Sequence, residues 1–170
     1  MKIRSIISTV LVSVILFTGC GKTEQGGSAT EQETKRNDNT VSVTASEVVK
    51  AVLSEVSINS SVEKGKGDLE NYYSGLDLST VEDAAFALCG SGALPDEIAV
   101  IKCSSSEAAN SAKEVLNSHL NKQKELFATY TPDEMYKLEG AVIFTKGNYA
   151  VYIALSDNGK AKSIVEGKLA

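Results

Sequence analysis

Apolar and polar positions change rhythm several times along the chain, and each rhythm predicts an element. After an apolar run from Ile6 to Phe17, polar residues hold from Gly21 to about Ser42 with almost nothing aliphatic. Val48, Val49, Val52, Leu53 and Val56 then recur at helical spacing, which predicts a first helix from about Ser46 to Ile58. Thr44-Ala45-Ser46-Glu47 ahead of it has the form of a capping box, in which a Thr hydroxyl and a Glu carboxylate satisfy free amides at a helix start. Ser60 to Asp68 is polar, holds two glycines and reads as a loop. Leu69 to Tyr73 reads as a helical turn, with Tyr72, Tyr73, Leu76 and Leu78 anchoring an irregular segment to the domain.

Asp83 to Cys89 and Glu97 to Cys103 are short apolar runs split by Gly90-Ser91-Gly92-Ala93-Leu94-Pro95-Asp96, a pattern of strand, loop and strand. Ser104 to Ser106 offer N-caps for a long helix to about Phe127, with Ala109, Ala112, Leu116, Leu120, Gln123 and Phe127 along one side. Pro132 bars Thr131 from the helical region and suits the first position of a short helix to about Leu138. Ala141 to Lys146 and Tyr149 to Leu155 flank Gly147-Asn148, a two-residue connection with Gly first, as a type II′ hairpin turn requires. Ser156 or Asp157 caps a last helix to about Lys168. Hairpin followed by helix thus occurs twice. The predicted class is α+β: an antiparallel four-stranded sheet from two β-hairpins, each followed by a helix (ββαββα), preceded by an N-terminal helix and carrying its helices on one face.

The first apolar run decides where this domain is expected to live. Lys2 and Arg4 precede it, and Ile6 to Phe17 is too short to span a bilayer, which is the form of a secretory signal. Phe17-Thr18-Gly19-Cys20 closes it as a lipobox, whose cysteine takes a diacylglyceryl group before the signal peptide is cut off. The expected organisation is a lipoprotein signal peptide over 1–19, the lipidated Cys20 with a disordered tether over 20–42, and a single α+β domain over 43–170. Two acyl chains, at about 0.8 kcal/mol per buried CH₂, anchor a protein for practical purposes permanently. The tether cannot bury enough apolar surface to offset its conformational entropy, and its reach is on the order of 25 Å. The expected location is therefore the extracytoplasmic face of the cell membrane.

Charge removes one class of partner. The formal charge of -5 becomes -7 when Lys2 and Arg4 leave with the signal peptide, and no basic cluster remains to neutralise phosphates. That argues against nucleic acid and against electrostatic adhesion to anionic lipid, so the membrane contact is expected to run through Cys20 alone.

Candidate chemistry is sparse. His119 is the only histidine and sits mid-helix at the border of the apolar stripe, an ordinary place for a half-buried side chain. If the first hairpin pairs as expected, Cys89 and Cys103 stand at its opposite ends, roughly 20 Å apart and beyond disulfide reach, as small core residues. Asp96-Glu97 and Glu82-Asp83 are adjacent carboxylates that could serve acid/base work but read as solvated loop charges. No Cys/His cluster has metal-ligand spacing, and no phosphate-cradling motif accompanies the glycines, so no metal, cofactor or catalytic residue is expected. The candidate rim of a ligand or partner surface is Ser91, Gly92, Asp96 and Glu97 in the 90–96 loop, with Lys146 and Asn148 at the second hairpin turn.

Gly90-Ser91-Gly92-Ala93 followed by Asp96-Glu97-Ile98-Ala99-Val100-Ile101-Lys102, then Tyr130-Thr131-Pro132-Asp133-Glu134, then Lys146-Gly147-Asn148-Tyr149-Ala150-Val151, resembles a family of lipoproteins from Gram-positive anaerobes known as a domain of unknown function. The resemblance spans roughly Leu69 to Val165 and implies an exported, lipid-anchored protein, with no activity or catalytic residue to carry over. The expected role is a binding or protein-interaction module at the cell envelope, possessing an anchor, a tether and a compact domain. The alternative is a small extracytoplasmic enzyme using carboxylate or thiol chemistry.

Overall fold

The computed structural model describes residues 43–170. The expected signal peptide, lipidated Cys20 and tether lie outside the described residues. In chain order the elements are α1 (Ala45–Leu53), β1 (Ser61–Gly65), α2 (Leu69–Tyr72), β2 (Val81–Cys89), β3 (Glu97–Cys103), α3 (Ser106–Tyr130), α4 (Met135–Glu139), β4 (Val142–Lys146), β5 (Tyr149–Ala154) and α5 (Asn158–Lys168). The fold is α+β, built on one antiparallel sheet of order β1-β2-β3-β5-β4.

Local signals set the helix starts. Thr44 and Glu47 form the reciprocal capping box at α1, Ser105 Oγ accepts from the Ala108 amide at α3, and Asp157 accepts from the Lys160 amide at α5. In the β4–β5 turn Gly147 takes φ +57°, and the only non-glycine residue described with positive φ is Ser60, so Asn148 keeps a negative φ as a type II′ turn demands. Helix α1 stops at Leu53 instead of Ile58. A turn replaces its expected end, and Val56 and Ile58 reach the core from there.

Two expectations about the sheet are corrected. It has five strands, because Ser61–Gly65, expected as loop, pairs with β2 from Ser61 opposite Cys89 to Gly65 opposite Ala85. None of its side chains is fully buried, so β1 shows no apolar alternation; it is an edge strand held by backbone hydrogen bonds, and its Glu63 and Lys64 suit an exposed edge. The helices also cover both faces instead of one. Ala85, Ala87, Ile98, Val100, Val151 and Ile153 pack against α1 and α5. Their neighbours Ala84, Phe86, Ala99, Ile101, Ala150 and Tyr152 pack with residues of α2, α3 and α4 on the other side. Strands apolar at consecutive positions need cover on both faces, and the three inner strands are of that kind.

Cys89 and Cys103 are both free and buried, opposite Ser61 and Val81 respectively at the two ends of β2. No helix among the described residues is long and apolar enough to cross a membrane.

Candidate functional site

The loop from 90 to 96 is short of regular structure but tightly closed. Cys89 N–H donates to the Asp96 carbonyl at 3.1 Å, Gly92 N–H donates to the Cys89 carbonyl at 3.0 Å, and Gly92 holds φ +67°. Gly90 N–H donates to the Ser60 carbonyl at 2.9 Å, and a Cβ there would stand 2.4 Å from Val62 Cγ2. These constraints fix the loop beside the last turns of α3, where two adjoining cavities open.

The inner cavity, about 170 Å³, has apolar walls of Leu88, Leu94, Pro95, Leu126 and Phe127. Cys89, Gly92, Asp96, Glu97 and Gln123 complete its lining. The outer one, about 350 Å³, adds Ser91, Ala93 and Tyr130, and shares Gly92, Leu126 and Phe127 with the inner one. Leu126 and Tyr130, both in the lining, remain 54% and 74% exposed.

Asp96 and Glu97 are not solvated loop charges: they are 4% and 5% exposed, and both are partnered. Asp96 Oδ2 accepts from Lys137 Nζ at 2.6 Å, and the same ammonium makes a 2.6 Å charge contact with Glu134 Oε2. Burial pulls the Lys137 pKa down, but the two carboxylates outweigh it and leave the pKa above the ordinary lysine value. Glu97 Oε1 accepts from the Tyr73 hydroxyl at 2.5 Å, and Glu97 Oε2 lies 2.8 Å from His119 Nε2. A carboxylate only accepts, so His119 carries its hydrogen on Nε2 in this pair. Gln123, one turn further along α3, lies 3.2 Å from the same nitrogen.

His119 lines neither cavity itself, although Glu97 and Gln123 beside it line the inner one. Its ring meets Tyr73 and Tyr152 edge to face, at 4.9 Å and 5.6 Å between centroids. Burial, reinforced by the charge of Glu97, raises both phenols well above the ordinary tyrosine range, which keeps Tyr73 a hydrogen-bond donor. The Tyr152 hydroxyl is buried without a hydrogen-bond partner among the described residues.

Cys89 has a distinct setting. Burial pushes its thiol pKa up, but the Ser91 hydroxyl, 3.2 Å from Sγ, and the backbone amides of Ser91, Leu94 and Ala93 favour the thiolate more strongly, so the net shift is downward. Cys103 shifts the other way, through burial and the charge of Glu82.

Of the candidate rim residues, Ser91, Gly92, Asp96 and Glu97 line the two cavities. Lys146 and Asn148 do not join them. They sit in the β4–β5 turn at the other end of the sheet, where Lys146 Nζ donates to the Glu166 carbonyl and Asn148 Nδ2 donates to the Cys103 carbonyl at 2.7 Å. Glu82 pairs with Lys102 at 3.3 Å, and Asp83 accepts from the Ala45 amide at 2.8 Å, so that carboxylate pair braces structure. Sequence reading passed over Lys137 and Leu126, and it placed Tyr73 only as an anchor and Gln123 only on the inner side of the long helix. Glu97 did leave a signal, since it shares strand parity with Ala99, Ile101 and Cys103 and so had to enter the core and find a partner.

Among the described residues, no group of three or more His, Cys, Asp or Glu is arranged to hold a metal ion. A family model described as a domain of unknown function (DUF4358) matches residues 54–155. No curated protein and no solved structure matches the chain.

Proposed function

Since this chain belongs to the DUF4358 family, a domain of unknown function, its role has to be read from its own groove, and we propose that it is a lipid-anchored binding module. In this reading Cys20 carries the lipid, residues 20–42 are the tether, and the domain stands on the extracytoplasmic face of the membrane of a Gram-positive anaerobe. It takes a ligand or an envelope partner between the 90–96 loop and the end of α3. The observation that supports binding over catalysis is the groove itself: apolar walls beside two carboxylates, with the sole histidine packed against two tyrosines and lining neither cavity. Sites of this make-up, mostly apolar with a few placed polar groups, are the usual form of small-molecule pockets.

Two measurements test it. Native protein should partition into the detergent phase and lack residues 1–19 by mass; an intact initiating Met in an aqueous-phase protein would sink the anchor. Saturation-transfer NMR of the full-length chain against a panel of small apolar and amphipathic molecules should find binders that compete with one another and are lost in Leu126→Glu. A folded sample that binds none of them removes the groove reading.

The thiol gives the second reading, an extracytoplasmic enzyme, its specific support. Cys89 lines the inner cavity with its thiolate favoured by Ser91 and three amides. Cys89→Ser, which removes the thiol without filling the cavity, should leave a binding role intact and abolish a thiol-dependent one.

A further inference from the structure

The charge at the floor of the inner cavity does not balance. Lys137 is one cation shared between two carboxylates, Asp96 and Glu134, at 2.6 Å from each, so the trio carries one uncompensated negative charge. Asp96 is its member in the cavity. Its side chain is 5% exposed, Oδ2 is spent on Lys137, and Oδ1 accepts no hydrogen bond from the described residues. Glu97 adds a second carboxylate to the lining, and no Lys or Arg lines either cavity. Asp96 Oδ1 is not among the fully buried unpartnered oxygens, so it keeps contact with open space, where a charged donor gives it the strongest hydrogen bond available.

Size and walls bound what can bring that donor. An apolar cavity of about 150 Å³ holds one benzene-sized group, so the 170 Å³ here admits one short apolar body. Leu88, Leu94, Pro95 and Phe127 give that body its surface, and the outer cavity leaves room for extension past Leu126 and Tyr130.

We propose that the inner cavity takes a small organic cation, an ammonium head on an apolar body, with the head on Asp96 Oδ1 and the body against Leu94 and Phe127. This rests on the groove being a ligand site and names the ligand's class. Anionic ligands are repelled by the same floor, and neutral ones leave the oxygen without a charged donor.

The test titrates the full-length chain with hexylammonium, 1-hexanol and hexanoate, following the methyl signals of Leu94 and Leu126 and the side-chain amide of Gln123 by NMR. Hexylammonium should bind at least about tenfold more tightly than hexanol, the factor that corresponds to roughly 1.4 kcal/mol, with hexanoate weakest and the preference shrinking as salt is added. Glu134→Gln neutralises the trio without touching the cavity wall. In that variant the ammonium preference should fall several-fold while hexanol affinity stays put. Equal binding of hexanol and hexylammonium, or an unchanged preference in Glu134→Gln, overturns the cation assignment and leaves the groove standing. Silence from all three probes overturns both.

Discussion

Lys137 on α4 and Asp96 just before β3 are 41 positions apart in sequence and 2.6 Å apart in space, with both side chains almost wholly buried. The pair ties the segment after α3 to the loop that lines the inner cavity. Breaking such a pair strands a buried charge, which is why removal of one partner typically costs about 3–5 kcal/mol. Asp96→Ala should therefore lower stability by about 3 kcal/mol, at the low end because Glu134 still holds the ammonium. Asp96→Asn, which keeps the shape, should cost less, and chemical denaturation of both variants checks the order.

The Lys137 pKa lies above its ordinary value, so its contribution has a defined pH window. A raised folded-state pKa gives stability that is fully present below the unfolded lysine value of about 10.4 and lost as pH rises through the folded value. Wild type should destabilise more steeply than Lys137→Met above about pH 10, where free lysine titrates. Melts at stepped alkaline pH measure the difference; parallel curves would contradict it.

Tyr73 and His119 hold the two oxygens of Glu97. Tyr73→Phe removes one donor and leaves a carboxylate oxygen buried without it, at a cost of about 1–3 kcal/mol. Adding Glu97→Gln to Tyr73→Phe should cost less than the two single changes together, because the charge that needed the donor is gone. A double-mutant cycle by thermal denaturation reads the coupling; simple additivity would mean that the hydroxyl and the carboxylate act independently.

Cys89 and Cys103 should differ in reactivity, since Cys89 lines the inner cavity, Cys103 lines neither of the two cavities described, and their thiols shift in opposite directions. Peptide-level mass spectrometry after brief iodoacetamide treatment should show Cys89 labelled first, with a rate that levels off at lower pH than for an ordinary thiol. Ligand in the groove should slow it. Faster labelling of Cys103 would contradict the assignment of the cavity to Cys89.

Gly90 sits where a methyl group would press on Val62 and on the Ser60 carbonyl. Gly90→Ala should loosen β1 from β2 while leaving the inner strands intact. Hydrogen exchange should rise for Ser61–Gly65 and stay level for Ile98–Ile101; a uniform rise would mean that β1 is integral to the global fold.

Much of the local structure was legible in the chain because its causes are local. The capping box at Thr44, Ser105 before α3, Pro132 after it and the Gly147-Asn148 turn each act within a few residues, and each is found at its expected place. The edge strand was not, because β1 draws its stability from a neighbour's backbone and leaves no mark in side-chain pattern. Nor was the two-sided cover of the sheet, although consecutive apolar residues such as Ile98-Ala99-Val100-Ile101 already required it.

The site divides in the same way. Glycine, proline and acidic residues between two apolar runs marked the 90–96 loop, since those residue types interrupt strands wherever they stand. What the loop faces was decided by packing. Order along the chain by itself determined the α+β class and the turn chemistry, because propensity, capping and apolar period are short-range properties. Only the tertiary structure brought Lys137 to Asp96, His119 and Tyr73 to Glu97, and Leu126 over Cys89's cavity. The physical reason is that a buried charge selects its partner by distance in the folded core, where water no longer serves, and that distance bears no relation to separation in sequence.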